Sequence, residues 1–163
     1  IRVNSTDSFK RIAQLTQKTN QFNLTTRRYT ENETLDLMKN NDRMVLSLKL
    51  NDRFGSNGIV GVLIVKIKDD SSYIDTFLMS CRVIGRMVED SFISYMAEIL
   101  RAKGIINVIG EYIPTKKNSL VKDLYKRFGF DLSESREDGS TIWRFDLSKG
   151  NIAGNKWINV ETG

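Results

Sequence analysis

Histidine is absent from all 163 residues, and cysteine and proline occur once each, as Cys81 and Pro114. Without imidazole the chain lacks the usual general base of neutral pH and the commonest metal ligand, which excludes a Ser-His-Asp triad and a zinc site. Proton transfer must then run through carboxylates, tyrosine, lysine, cysteine or water. A lone cysteine makes no internal disulfide, and no stretch has the form of a signal peptide or of an apolar span of about 18 residues. These absences point to a soluble protein of a reducing compartment, the cytoplasm, with no membrane partner. Long like-charged runs are missing too. Lys and Arg exceed Asp and Glu by 25 to 20, a net charge of +5. That balance favours anionic partners such as phosphorylated cofactors or acidic proteins, without the basic clusters of a nucleic-acid footprint.

What is present fits one α/β domain, since 40% apolar residues suffice for a normal core at this length. The organising stretch is Tyr73 to Lys103: a strand to Arg82, a glycine-bearing turn (Val83, Ile84, Gly85, Arg86) and a helix opening near Met87 or Val88. In that helix Val88, Phe92, Tyr95, Met96, Ile99 and Leu100 recur at spacings of three and four, and Gly104 supplies the stop. Before it, Asp7 to Lys18 predicts an amphipathic helix, followed by a polar run from Thr16 to Arg28 that is either a surface loop or an amide-lined site. Thr30 with Glu33 has capping-box spacing for a helix over residues 29 to 39. Strand-like runs at Met44 to Leu50, Gly58 to Lys68 and Tyr73 to Arg82 predict an antiparallel meander. In the second, Ile59, Leu63, Val65 and Ile67 face one way and Val60, Val62 and Ile64 the other, the mark of a central strand covered on both faces. A strand at Ile105 to Ile113 follows, then a helix capped by Asn118 and carrying Leu120, Val121, Leu124, Tyr125 and Phe128. A final hairpin pairs Phe130 to Glu134 with Thr141 to Leu147 around Asp138-Gly139. In the tail, Trp157 is expected to pack on the domain.

Several residues are candidates for chemistry. The turn at Gly85 presents the amides of Arg86, Met87 and Val88 at a helix start, an arrangement suited to a phosphate, with Arg82 and Arg86 adding charge; the alternative is an ordinary strand-to-helix turn. Glu111, near the end of the fifth strand, is either a general base or a salt-bridged carboxylate. Cys81 is either an acyl-accepting thiol or a small buried hydrophobe. Asn20, Asn23, Thr25, Thr26, Arg27 and Arg28 form either a polar wall that meets substrate or carrier, or plain surface.

The order helix, three-strand meander, glycine turn, helix, strand, helix and terminal hairpin resembles the GNAT acyltransferase fold, a central mixed, mostly antiparallel sheet flanked by helices. That family's turn has the pattern Gln/Arg-x-x-Gly-x-Gly/Ala, matched here by Arg82-Val83-Ile84-Gly85-Arg86-Met87, with Met87 in place of the last small residue. The resemblance implies that these amides hold the pyrophosphate of an acyl-CoA, whose arm lies between splayed fourth and fifth strands. Asn118, Tyr125, Gly129 and Phe130 match the second cofactor-binding segment, which implies that Tyr125 protonates the departing thiolate. More specifically, Arg11 to Tyr29, Asp52 to Gly61 and Ile74 to Arg86 resemble the carboxyl-terminal half of FkbH-like proteins, which join a HAD-type phosphatase domain to a GNAT-like one. What this implies is a GNAT-like domain at 29–147, preceded by a helix and polar connection at 1–28 and followed by a tail at 148–163. The partners implied are a HAD-type domain before Ile1, whose Asp-x-Asp strand this chain lacks, and an acyl carrier protein. Two functions are open on this resemblance. One is acyl transfer, including glyceryl transfer, from CoA or a phosphopantetheine thioester in a polyketide or polysaccharide pathway, with no metal in this domain. The other is a non-catalytic module that recognises a carrier protein for the phosphatase.

Overall fold

The structure is a computed structural model that describes residues 1–163. Strands form at β1 (Arg2–Val3), β2 (Arg43–Asp52), β3 (Gly55–Lys68), β4 (Ser71–Met79), β5 (Asn107–Tyr112), β6 (Asp131–Ser135) and β7 (Thr141–Asp146), and helices at α1 (Phe9–Lys18), α2 (Glu31–Lys39), α3 (Val88–Ala102) and α4 (Leu124–Arg127). The strands make one sheet in the order β1-β2-β3-β4-β5-β7-β6, antiparallel throughout except for the β4/β5 pair. This is the mixed, mostly antiparallel sheet expected from the sequence. Only β1, too short for a periodic signal, was not legible there.

Helices cover both faces. Ile12 and Leu15 of α1 and Met38 of α2 pack on Val45, Val62, Ile64 and Leu78. On the opposite face Phe92, Ile93, Met96 and Leu100 of α3 pack on Leu46, Leu63, Val65 and Phe77. The predicted capping box is formed: the Thr30 hydroxyl accepts from the Glu33 amide while the Glu33 carboxylate accepts from the Thr30 amide.

The alternation expected in β3 is broken once. Its register with β2 passes from Leu48↔Gly61 to Lys49↔Ile59, leaving Val60 as an extra residue in a bulge. Ile59 and Val60 therefore change face, and a second shift follows between Lys49↔Ile59 and Asn51↔Ser56. Val60 joins the α3 side with Leu63 and Val65, and Ile59 joins the α1 side with Val62 and Ile64, the reverse of the strict period-two reading.

Three further expectations are corrected. Asn118 does not cap a helix: residues Ser119–Val121 form a 3-10 turn without a side-chain cap, and α4 is only four residues long. Cys81 is exposed, because β4 ends at Met79 and Cys81–Val83 is a 3-10 turn. Trp157 is 84% exposed, with the Lys156 ammonium 5.0 Å from its ring, and is not buried in the domain.

Candidate functional site

Strand β4 contains its own bulge, and the site is built around it. Pairing with β3 passes from Val65↔Ile74 to Ile64↔Thr76, so Asp75 is unmatched. Parallel pairing of β4 with β5 stops at the same level, with Ile74↔Gly110. A bulge bends its strand and increases local twist, and past this point the two strands part. The expected splay is present.

The gap between them is filled by the chain itself. Leu24 N–H donates to the Phe77 carbonyl at 3.1 Å, Met79 N–H donates to the Phe22 carbonyl at 3.0 Å, and Asn23 makes an antiparallel bridge with Leu78. On the other side Ile113 N–H donates to the Leu24 carbonyl at 2.8 Å, and the Asn118 amide donates to the Asn23 carbonyl at 2.9 Å. Phe22, Asn23, Leu24 and Thr25 are buried, so this part of the polar run is not a surface loop. The Asn23 side chain shapes it, donating to the Thr19 carbonyl and accepting from Thr26 N–H. Asn118 is thus a buried clamp on this segment, and its oxygen accepts from Thr115 N–H at 2.7 Å. An incoming arm that remade these hydrogen bonds would still have to offset the lost burial of Phe22 and Leu24, about 3–6 kcal/mol together.

At the fork, Asp75 is a hub. Its carbonyl accepts from the Thr25 hydroxyl and the Arg27 guanidinium, both at 2.8 Å, and its carboxylate accepts from the Tyr29 hydroxyl at 2.6 Å. Arg27 reaches across the splay to Glu111 at 2.9 Å, and Arg136 from the β6–β7 hairpin takes the other Glu111 oxygen at 3.1 Å. Both carboxylate oxygens of Glu111 are therefore ion-paired with guanidinium groups. Burial, and next the Asp75 carboxylate, push the Tyr29 phenol well up.

Tyr125 is fully buried against Gly110, and its hydroxyl has no hydrogen-bond partner. Burial, followed by the Glu111 charge, pushes its phenol far up, so the hydroxyl stays protonated through the neutral range. A buried hydroxyl without a partner costs about 1–3 kcal/mol, and such a group calls for an explanation.

The glycine turn lies beyond the end of β4. Gly85 has φ +83° and Met87 φ +55°, and a Cβ at Gly85 would meet nothing within 4 Å. Val83, Ile84 and Arg86 N–H groups are taken by the carbonyls of Ser80, Cys81 and Val83, so the Arg86 amide is not available to an anion. The amides of Gly85, Met87 and Val88 have no backbone acceptor. Arg82 is exposed, while the Arg86 guanidinium pairs with Asp52 at 2.8 Å. The first turn of α3 carries Glu89 and Asp90, each held at 2.8 Å by Arg127, so carboxylates already answer the helix dipole there.

Of the remaining candidates, Arg28 donates to the Thr16 and Thr19 carbonyls at the end of α1 and to the Asn20 side chain, and Thr26 is a left-handed turn residue (φ +54°). Sequence reasoning missed Asp75, Tyr29, Arg136 and the Arg127 clamp. The available signal was Asp75 itself, a lone charge in the apolar run Ile74 to Met79.

No helix is long and apolar enough to cross a membrane, and no cluster of residues has the makings of a metal site. No family model and no curated protein matches the sequence. Solved structures do resemble it. The GNAT domain of S. lividans PAT aligns with TM-score 0.67 at 16% identity, covering 86% of this chain and 85% of that one. The ribosomal-protein-S18-alanine N-acetyltransferase of Escherichia coli aligns at 0.64 and 13% identity over 93% and 94%. The PaiA N-acetyltransferase of Thermoplasma acidophilum, solved with coenzyme A, aligns at 0.57 and 17% over 72% of each chain. At these identities the likeness defines the fold, and the chain has the GNAT acetyltransferase fold.

The three free amides at Gly85, Met87 and Val88 fit a phosphate beside Arg82. The edge of β4 fits an extended arm, through the Phe77 carbonyl and Met79 N–H, only once Phe22–Leu24 has given up the same groups.

Proposed function

We propose that this chain is a GNAT-class acyltransferase domain that handles an acyl thioester, of coenzyme A or of the phosphopantetheine of an acyl carrier protein. The observation that carries the reading is Tyr125, a fully buried hydroxyl without a partner beside the fork of β4 and β5. A bound thioester would supply the activated carbonyl. Tyr125, kept protonated by its surroundings, would hold the proton that a departing thiolate needs. With Glu111 doubly paired, the acceptor's proton would leave to water. Gly85, Met87 and Val88 amides with Arg82 would fix the phosphate, and Arg27, Arg136 and Tyr29 would line the side from which an acceptor comes. On the FkbH-like resemblance, the full protein would be cytoplasmic, would carry a HAD-type phosphatase domain before residues 1–28, and would use a glyceryl unit in polyketide or polysaccharide assembly, with residues 29–147 as the GNAT-like domain and 148–163 its tail.

A second reading, a non-catalytic module that recognises a carrier protein for that phosphatase, is favoured by the occupied gap between β4 and β5. Calorimetric titration with CoA and acetyl-CoA separates the two. Saturable binding that Gly85→Glu removes supports the enzyme, whereas binding of acyl carrier protein with no response to CoA at any concentration supports the module.

A further inference from the structure

We infer that Phe22–Thr25 is a displaceable strap that occupies the seat of the thioester's arm, so that the site exists in a closed and an open state. The inference rests on the acyl-thioester reading above. Each backbone contact of the strap is one that an extended, amide-bearing chain can reproduce: the Phe77 carbonyl needs a donor, and the N–H groups of Met79 and Ile113 and the Asn118 side-chain amide need acceptors. Pantetheine, an extended chain with two secondary amides, has that chemistry. The strap's ladder with β4 is one bridge long, Asn23↔Leu78 with two backbone bonds, and one further backbone bond joins it to Ile113, where β4 and β5 share four residue pairs above the fork. Before it Gln21 is exposed, and after it Thr26 turns the chain in a left-handed conformation, so the segment is bounded by two changes of direction. Because only the open state is competent, affinity for a free arm is reduced by about 10²–10⁴-fold relative to an open site.

Asn23 and Leu78 face each other as a non-hydrogen-bonded antiparallel pair, the closer-spaced kind, so cysteines at both positions suit a disulfide. The test uses Asn23→Cys/Leu78→Cys with Cys81→Ser, titrated with CoA and with pantetheine when oxidised and when reduced, with hydrogen exchange at Leu24 and Met79 amides. The expected result is binding at least about tenfold weaker in the oxidised protein than in the reduced one, with ligand speeding exchange at Leu24. An independent variant, Leu24→Ala, weakens the strap from within, and we expect it to bind CoA about ten- to a hundredfold more tightly than the unsubstituted chain. Equal binding in both redox states, with Leu24 still protected at saturation, overturns the strap and leaves the acyltransferase proposal standing. No binding by the reduced pair, by Leu24→Ala or by the unsubstituted chain overturns both. Response to CoA but not to pantetheine would place recognition in the phosphates and overturn the arm's seat.

Discussion

Gly110 and Tyr125 are matched in shape: a Cβ built on Gly110 would come 2.3 Å from the Cζ of the Tyr125 ring. The missing side chain on β5 is the space that the ring fills. Gly110→Ala must push the ring away, in a core where extra volume costs about 1–3 kcal/mol. We expect a lower urea midpoint, and near-ultraviolet dichroism altered by the displaced ring.

Replacement of Tyr125 by Phe should have effects of opposite sign. It removes a buried hydroxyl that has no partner, so stability should rise by about 1 kcal/mol in chemical denaturation. If the hydroxyl protonates the thiolate, acyl transfer should fall by about 10²-fold or more. A variant that is more stable and equally active would reduce Tyr125 to core packing.

Alkaline stability follows from the same two phenols. Burial, then the charge of Glu111, raises Tyr125, and burial, then Asp75, raises Tyr29. Each stays neutral in the folded chain while its unfolded counterpart ionises near pH 10. The stabilisation is therefore complete below about pH 10 and is lost as pH rises beyond it, where the unfolded state binds fewer protons than the folded one. Urea unfolding at pH 7 to 11 should give a flat profile to about pH 9 and a decline above it, shallower in Tyr125→Phe.

Arg27 ties two separating strands, through Asp75 at 3.3 Å and Glu111 at 2.9 Å. It is 39% exposed, so solvent screening limits each pair to about 1 kcal/mol or less. The coupling is more informative than the sum. In a double-mutant cycle of Arg27→Leu with Glu111→Gln, we expect non-additivity of about 0.5 kcal/mol or more, and its absence would show that the two act separately.

How far the sequence revealed all this depended on the range of the contacts. The α3 face, the capping box of α2 and the Asp138-Gly139 hairpin are set by neighbours within a few residues, and each could be read. The faces of Ile59 and Val60 could not, because one inserted residue in β3 is visible only from its partner β2. The same holds for the site. Gly85 and Tyr125 carry local signatures, whereas Arg27 meets Glu111 across 84 positions and Asn118 meets Asn23 across 95, so that a helix cap and a surface loop were the natural readings of two residues that clamp each other.

The placement of Phe22–Thr25 between β4 and β5 also has a kinetic consequence. Those residues are made before their partners Phe77, Met79 and Ile113, and the seat does not exist until β5 has docked. Pairings so distant along the chain form late, after the loop-closure entropy has been met by other contacts. The segment is thus made before its seat and seated late, and a piece added late is also a natural first to leave when the native state opens locally.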